Sequence, residues 1–307
     1  MINKSKQLLL IGILHLVCVG GSAMEVESIN LPLVLKDATN ETIEFNQRPK
    51  RIVSLTPSVT EVLYALEEKD DLVAVTRYCP FPELLKTRDN IGTVLSPDVE
   101  KVISLEPDIV FATVEGNRLK SINALRNSGV KVFVFGKVSN FNELFNRIAI
   151  MGSIVQSLEK TDALMFEMRR RLELINKKVS AQENPRKVFL QMGLRPLITV
   201  NENTIMNEVI ELAGGENIAK EALIRYPIYS RESVVAQDPD VIIITSMGQF
   251  EEDAIREWRE HTSIKAVRNG RIYVINPDLI CHIGPRLVEG VEKVAELLYP
   301  ELIKGTE

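Results

Sequence analysis

Histidine and cysteine are the side chains of this chain that could bind a transition metal, and both are scarce. The histidines are His15, His261 and His282, which lie far apart in the sequence. Imidazole binds cobalt and iron, but a metal site built by protein alone needs several ligands together. The pattern argues against a clustered metal-ion site. It leaves His282 with two roles, a single axial ligand or a hydrogen-bonding side chain.

The cysteines permit three interpretations. Cys79 and Cys281 both fall in predicted loops, and Cys18 lies in the N-terminal apolar segment. In an oxidising compartment Cys79 and Cys281 are free buried thiols, a disulfide or thiolate ligands. A disulfide requires Cα atoms within about 7 Å of each other, which a sequence does not reveal.

Two aromatic residues, Tyr78 and Phe81, share a loop with Pro80 and Pro82. Such rings suit the face of a flat macrocycle, and the alternative is that they pack within the loop. The chain lacks Gly-x-Ser-x-Gly, P-loop and His-Glu-x-x-His motifs, so no catalytic residues are predicted. Its net charge of −5 argues against nucleic-acid binding.

The N-terminal segment has the features of a signal peptide. Lys4 and Lys6 precede apolar residues 8–20, and small residues follow up to Ala23. The apolar run is shorter than the about 20 residues that span a bilayer. We predict a signal peptide over residues 1–23, cleaved to leave an exported chain that begins at Met24.

The remaining sequence alternates predicted strands and helices, interrupted once. Strands are predicted at 52–55, 72–76, 109–113 and 130–135, and again at 187–192, 241–245 and 271–275. This rhythm predicts parallel sheets in an N-terminal lobe, 24–140, and a C-terminal lobe, 185–307. Region 141–184 has only helical periodicity. It includes one helix over about 158–181, roughly 36 Å long. Ser58 and Glu61 are predicted to form a capping box at the first helix.

An internal repeat supports two related lobes. Glu100 is followed seven residues later by Pro107-Asp108 and an apolar strand, and Glu232 is followed in the same way by Pro239-Asp240. Ser96 and Ser230 precede the two copies and are predicted to cap their helices.

Two α/β lobes joined by a long helix behind a signal peptide resemble the helical-backbone class, class III, of substrate-binding proteins of ABC importers. Six segments are most similar to the vitamin B12-binding branch: 51–66, 75–82, 98–112, 188–218, 230–232 and 276–286. The chain differs where that branch tends to have cleft tryptophans, because it has Val94, Thr113 and Tyr226 there. Its only tryptophan, Trp258, is assigned to the packing of a helix.

The resemblance implies two Rossmann-like lobes with a ligand cleft between them. It implies a periplasmic, monomeric protein that captures a cobalt corrinoid, cobalamin or cobinamide, and delivers it to an ABC permease and its ATPase. Membrane contact is then only through the permease, and the corrinoid is cargo rather than a cofactor. Haem or a ferric siderophore is the alternative ligand. A metal-centred redox enzyme is the alternative class, although such enzymes need more cysteine ligands.

The resemblance also assigns roles to particular residues. The expected ligand contacts, in loops at the strand ends, are Tyr78, Cys79, Phe81, Glu115, Asn117, Tyr226, Asp278 and His282. Glu100 and Glu232, one in each lobe, are expected to dock onto basic residues of the permease. The alternative for both acids is a local role in stabilising their helix N-termini.

Overall fold

The computed structural model describes residues 31–245 and 250–303; the predicted signal peptide lies outside them. The N-terminal lobe contains the following elements: β1 (Leu33–Lys36), β2 (Thr42–Phe45), β3 (Ile52–Ser54), α1 (Pro57–Ala65), β4 (Leu72–Val75), α2 (Pro82–Thr87), β5 (Asp89–Asn90), α3 (Val99–Ser104), β6 (Ile109–Thr113), α4 (Leu119–Asn127) and β7 (Val132–Phe135). Strands β3 to β7 form a parallel sheet in the order β5-β4-β3-β6-β7, and β1 and β2 form a separate hairpin.

Two helices connect the lobes, α5 (Phe141–Ile154) and α6 (Leu158–Val179). Helix α6 has 22 residues, so it is about 33 Å long, as the predicted long helix requires. Its buried face includes Met168, Ile175 and Val179, while most of its exposed residues are charged, with Phe166 and Leu174 as large apolar exceptions.

None of the helices in the described ranges has both the length and the apolar character needed to cross a membrane.

The C-terminal lobe contains the remaining elements: β8 (Arg186–Gln191), β9 (Gly193–Leu194), β10 (Leu197–Ile198), α7 (Ile205–Leu212), β11 (Gly215–Asn217), α8 (Arg231–Gln237), β12 (Val241–Ile244), α9 (Glu251–Arg259), α10 (Lys265–Arg268), β13 (Ile272–Val274), a 3-10 turn (Pro277–Leu279), α11 (Leu287–Leu298) and α12 (Pro300–Ile303). Its main sheet is parallel, in the order β11-β8-β12-β13. The inner strands of both lobes are buried β-branched runs, as expected for sheets covered by helices on both faces.

The predicted repeat extends to the hydrogen bonds of the two sheets. Ile52 pairs with Ile109 in the first lobe, and Val188 pairs with Val241 in the second. The Asp108 carboxylate accepts from the backbone N–H of Arg51, and the Asp240 carboxylate accepts from that of Lys187. The residues two positions before these aspartates, Glu106 and Asp238, both have left-handed backbones, with φ of 46° and 47°. The two lobes therefore share one structural unit.

Two predicted helix caps are wrong, each by two residues. Helix α1 is capped by Thr56, whose hydroxyl accepts from Val59 N–H, so Ser58 and Glu61 do not form a capping box. Helix α3 is capped by Asp98 rather than Ser96. Ser230 caps α8 as predicted. Hydroxyl and carboxylate groups cap equally well, so neighbouring candidates compete and local geometry decides between them.

Trp258 has the structural role predicted for it. Its side chain is buried, its ring packs edge-on against Phe189, and its indole N–H donates to Gln191 Oε1 at 2.6 Å. The single tryptophan thus anchors α9 on the second sheet.

Gly152 sets the close approach of α5 and α6. A Cβ at this position would lie 1.9 Å from Thr161 Oγ1. We expect Gly152→Ala to lower the free energy of unfolding by about 1–3 kcal/mol, the usual cost of overpacking, measured by urea denaturation. Adding Thr161→Ala, which removes the obstructing hydroxyl, should recover part of this loss; no recovery would contradict the packing explanation.

Candidate functional site

The carboxyl ends of the parallel strands carry loops from both lobes that meet at the lobe boundary. We call these the cleft loops: 55–58, 76–82 and 114–118 from the first lobe, and 223–229 and 275–286 from the second. Ligands of α/β proteins bind at such strand ends, where short loops offer backbone and side-chain groups. Two direct contacts between the lobes, described below, bring these loops together: one joins loop 114–118 to loop 223–229, and the other joins loop 275–286 to helix α1.

Loop 76–82 has one aromatic side chain exposed to solvent and another that packs against helix α1. Tyr78 is 57% exposed, whereas the Phe81 ring stacks on Tyr64 with centroids 3.8 Å apart. Cys79 is a buried free thiol whose Sγ lies 3.8 Å from the Phe81 carbonyl oxygen. Of the three residues predicted here, Tyr78 has an exposed side chain, whereas Cys79 and Phe81 pack within the protein.

Segment 223–229 forms an apolar wall on the second lobe. Its backbone runs alongside 197–201, where Thr199 N–H donates to the Pro227 carbonyl and Asn201 N–H to the Arg225 carbonyl. The side chains of Ile224, Tyr226 and Ile228 are all exposed, and they alternate with the half-buried Arg225 and the buried Pro227. Burial of the hydroxyl raises the pKa of Tyr226, and the Glu115 carboxylate adds to the shift.

Glu115 connects the lobes directly. Its Oε1 accepts from Arg225 Nη1 at 2.8 Å, across the lobe boundary. Its Oε2 accepts from Val138 N–H at 3.2 Å and lies 3.9 Å from the guanidinium of Arg147. Arg147 is almost fully buried, and burial lowers its pKa to about 10.

The side chain of Asn117 forms its hydrogen bonds with residues of the first lobe. Its amide donates to the carbonyls of Leu55 and Val94, and its Oδ1 accepts from Thr113 N–H. It is 7% exposed, so it holds three loops together, and we leave it out of the proposed ligand contacts.

Loop 275–286 contains a histidine–carboxylate pair. His282 Nδ1 lies 3.4 Å from Asp278 Oδ1. Burial is the main cause that lowers the pKa of His282, so the imidazole is neutral at pH 7.

Cys281, in the same loop, is a free thiol whose Sγ lies 3.8 Å from the Thr245 hydroxyl. Burial raises its pKa to about 11, so it is not a thiolate at neutral pH. Both cysteines are free thiols in the structure, Cys79 buried and Cys281 partly buried, so they do not form the disulfide that the sequence permits.

A buried ion pair that the sequence did not predict holds this loop against the first lobe. Glu61 is 2% exposed, and its carboxylate accepts hydrogen bonds from the Arg286 backbone N–H at 2.8 Å and from the guanidinium at 3.1 Å. Gly284 fits against it, since a Cβ there would lie 2.5 Å from Glu61 Oε1. In the sequence, the segment Gly284-Pro285-Arg286 indicates a tight turn that carries an arginine, but it does not identify Glu61 as the partner of that arginine.

Glu100 and Glu232 occupy equivalent, exposed positions, each the second residue of its helix. The backbone N–H of Glu232 and the Ser230 hydroxyl lower the pKa of Glu232, which keeps it ionised. Neither residue belongs to the cleft loops, so both are free for contacts outside the cleft.

Over the residues that the structure describes, no group of three or more His, Cys, Asp or Glu side chains is arranged to hold a metal ion. A separate groove of about 830 Å³ lies between α6 and α11, and of its lining residues only Leu279 belongs to a cleft loop.

Known proteins share this arrangement. The family described as periplasmic binding protein matches residues 52–279. YvrC of Bacillus subtilis, an uncharacterized ABC transporter substrate-binding lipoprotein, is 32% identical over 279 residues, which cover 89% of this chain and 87% of YvrC.

Two similar solved structures have different ligands in their names. The periplasmic vitamin B12 binding protein BtuF of Vibrio cholerae has a TM-score of 0.71 and 26% identity, covering 82% of this chain and 97% of BtuF. A periplasmic heme binding protein of Pseudomonas aeruginosa has a TM-score of 0.74 and 25% identity, covering 83% of this chain and 94% of that protein. The chain belongs to the periplasmic binding protein family, in its helical-backbone class of ABC transporter substrate-binding proteins.

Proposed function

We propose that this protein captures a cobalt corrinoid, cobalamin or cobinamide, in the periplasm and delivers it to an ABC permease and its ATPase. The role of substrate-binding protein follows from the family; the corrinoid, the periplasmic location and the docking residues are the proposal. The ligand would lie between the cleft loops, against Tyr78 of the first lobe and the exposed Ile224, Tyr226 and Ile228 side chains of the second.

The pairing of charges at the lobe boundary is the observation that carries the choice of ligand. Arg225 is paired with Glu115 and Arg286 with Glu61, and His282 is neutral. A ligand with carboxylates at its edge, such as haem, needs cationic partners, and both of these arginines already have a carboxylate. A corrin is fringed mainly with amides, which require hydrogen bonds and apolar surface rather than cations.

His282 is the candidate axial ligand within this proposal. A carboxylate beside one ring nitrogen fixes the tautomer of an imidazole, and that leaves the other nitrogen available to a metal. Asp278 Oδ1 lies 3.4 Å from His282 Nδ1 but forms no hydrogen bond with it, so a small movement of the imidazole is needed before Asp278 fixes its tautomer. Coordination by His282 would shift the visible spectrum of bound cobinamide, and His282→Gln would remove that shift.

Titration of the purified mature protein tests the ligand directly. We expect cobinamide or cobalamin to bind with a sub-micromolar Kd, roughly −8 kcal/mol or tighter, by calorimetry and visible absorbance. Apolar contact with Tyr78 and the 223–229 wall supplies the free energy. Tyr78→Ala should weaken binding by about 1 kcal/mol or more, as removal of an aromatic contact does. Binding of haem or a ferric siderophore without binding of either corrinoid would refute the proposed ligand.

Haem is the second candidate, and the exposed cations of the cleft loops, Arg77 and Arg118, favour it. Arg77 lies beside Tyr78 with an exposed side chain, where it could pair with a carboxylate of a ligand. We expect Arg77→Gln to leave cobinamide affinity within about twofold, because an amide fringe gains little from a cation in water. A loss of haem affinity in this variant, with cobinamide failing to bind the parent protein, would instead support haem as the cargo.

A further inference from the structure

Among the residues that the structure describes, two ion pairs connect the lobes, and their carboxylates differ in exposure. The Glu61 carboxylate is nearly inaccessible and accepts three hydrogen bonds from Arg286. The Glu115–Arg225 pair has one hydrogen bond of 2.8 Å, and its side chains are 24% and 22% exposed. Because water and salt screen an exposed pair more strongly, the Glu115–Arg225 contact is the one that opens more readily.

Each partner of the exposed pair is also held by contacts that do not involve the opposite lobe. Val138 N–H and the buried Arg147 hold Glu115 through its other oxygen. Arg225 donates through Nε to the Asn203 carbonyl, and its backbone carbonyl accepts from Asn201 N–H. When the lobes separate, the Glu115 carboxylate keeps Arg147 as a counter-ion, so both groups stay in position to meet again.

The Glu115–Arg225 pair lies between exposed apolar residues of the two cleft loops. Val114 precedes Glu115 and is 44% exposed, and Tyr226 follows Arg225 and is 42% exposed. The Arg225 guanidinium lies 5.6 Å from the Tyr226 ring centroid. Any opening of this pair therefore changes the distance between Val114 of the first lobe and segment 223–229 of the second.

We propose that the Glu115–Arg225 pair is a latch between the lobes, which opens to admit the ligand and closes again beside it, while the Glu61–Arg286 pair stays formed and acts as the pivot. The expected opening is small, because α6 contains no proline or glycine at which a helix usually kinks. The latch goes beyond the proposed function, since it applies to whichever ligand the cleft takes.

A distance measurement on the ligand-free protein tests the latch. Spin labels are placed at the exposed positions Lys120 and Glu221, one in each lobe, after Cys79 and Cys281 are replaced by serine. We expect Glu115→Gln/Arg225→Gln to shift the label-to-label distances to longer values and to broaden them. The control is Glu167→Gln/Arg170→Gln, which removes an ion pair within α6 and should leave the distances unchanged. An unchanged distribution in the Glu115/Arg225 variant would overturn the latch.

Binding kinetics supply a second, independent readout, with cobinamide as the probe. We expect the association and dissociation rates both to rise, on the order of two- to fivefold, the range for one partly exposed ion pair. Glu115→Gln alone and Arg225→Gln alone should each change the rates as much as the double variant does. The reason is that either change breaks the same ion pair. Additive single effects would contradict the latch. If cobinamide does not bind, the corrinoid proposal fails, and the distance measurement still decides on the latch.

Discussion

Changing both Glu100 and Glu232 to alanine should reduce uptake of the ligand by roughly tenfold or more, while ligand binding by the isolated protein stays unchanged. The two acids are exposed at the second position of equivalent helices, one in each lobe. In the proposed docking, a two-fold permease would present the same basic surface twice and would therefore require one acid from each lobe. Uptake in a transport assay and calorimetry on the purified variant measure the two effects.

The single changes and a matched control make this test specific. Glu100→Ala or Glu232→Ala alone should have a partial effect, since the other lobe keeps its contact. Glu159→Ala/Glu252→Ala removes the same charge from the first turns of α6 and α9, and should transport normally. Normal uptake by the Glu100/Glu232 variant would mean that both acids only stabilise the N-termini of their helices and do not dock onto the permease. Loss of ligand binding would mean that the cleft is misplaced relative to these helices.

The lobes and the repeat were predictable because their signals are local. The predicted strand at 109–113 agrees with β6, since a run of β-branched and aromatic residues bounded by a turn specifies a buried strand. Helix α6 is readable in the same way from its apolar periodicity. The repeat could be found because the acid, the Pro-Asp turn and the strand keep their spacing in both copies.

The contacts that shape the cleft were not predictable, because their partners are distant in sequence. Arg286 lies 225 residues from Glu61, and Arg225 lies 110 residues from Glu115. A local reading placed Glu61 in a capping box, which its spacing from Ser58 permits equally well. Only the packing of the lobes shows that this carboxylate is buried and needs a cationic partner.

Arg286→Met should be the most destabilising of the substitutions considered, by about 3 kcal/mol at pH 7, because it leaves the Glu61 carboxylate buried without its counter-ion. Burial already raises the pKa of Glu61, and Arg286 opposes that shift, so the pKa rises further in the variant. A carboxyl with a higher pKa in the folded state contributes stability at low pH, and loses it as pH rises through that pKa. The deficit should therefore be largest at neutral pH and smaller near pH 5, as urea denaturation at both values would show.

Two companion variants separate the buried charge from simple loss of packing. Glu61→Gln/Arg286→Met has no charge to bury, so it should be more stable at pH 7 than Arg286→Met alone and should show less dependence on pH. Glu61→Gln alone should cost less than Arg286→Met, because the Arg286 side chain is 28% exposed and can reach water. Equal losses in Arg286→Met and the double variant would mean that packing, rather than the uncompensated carboxylate, accounts for the role of Arg286. In that case the Glu61–Arg286 pair would not be a pivot held by charge.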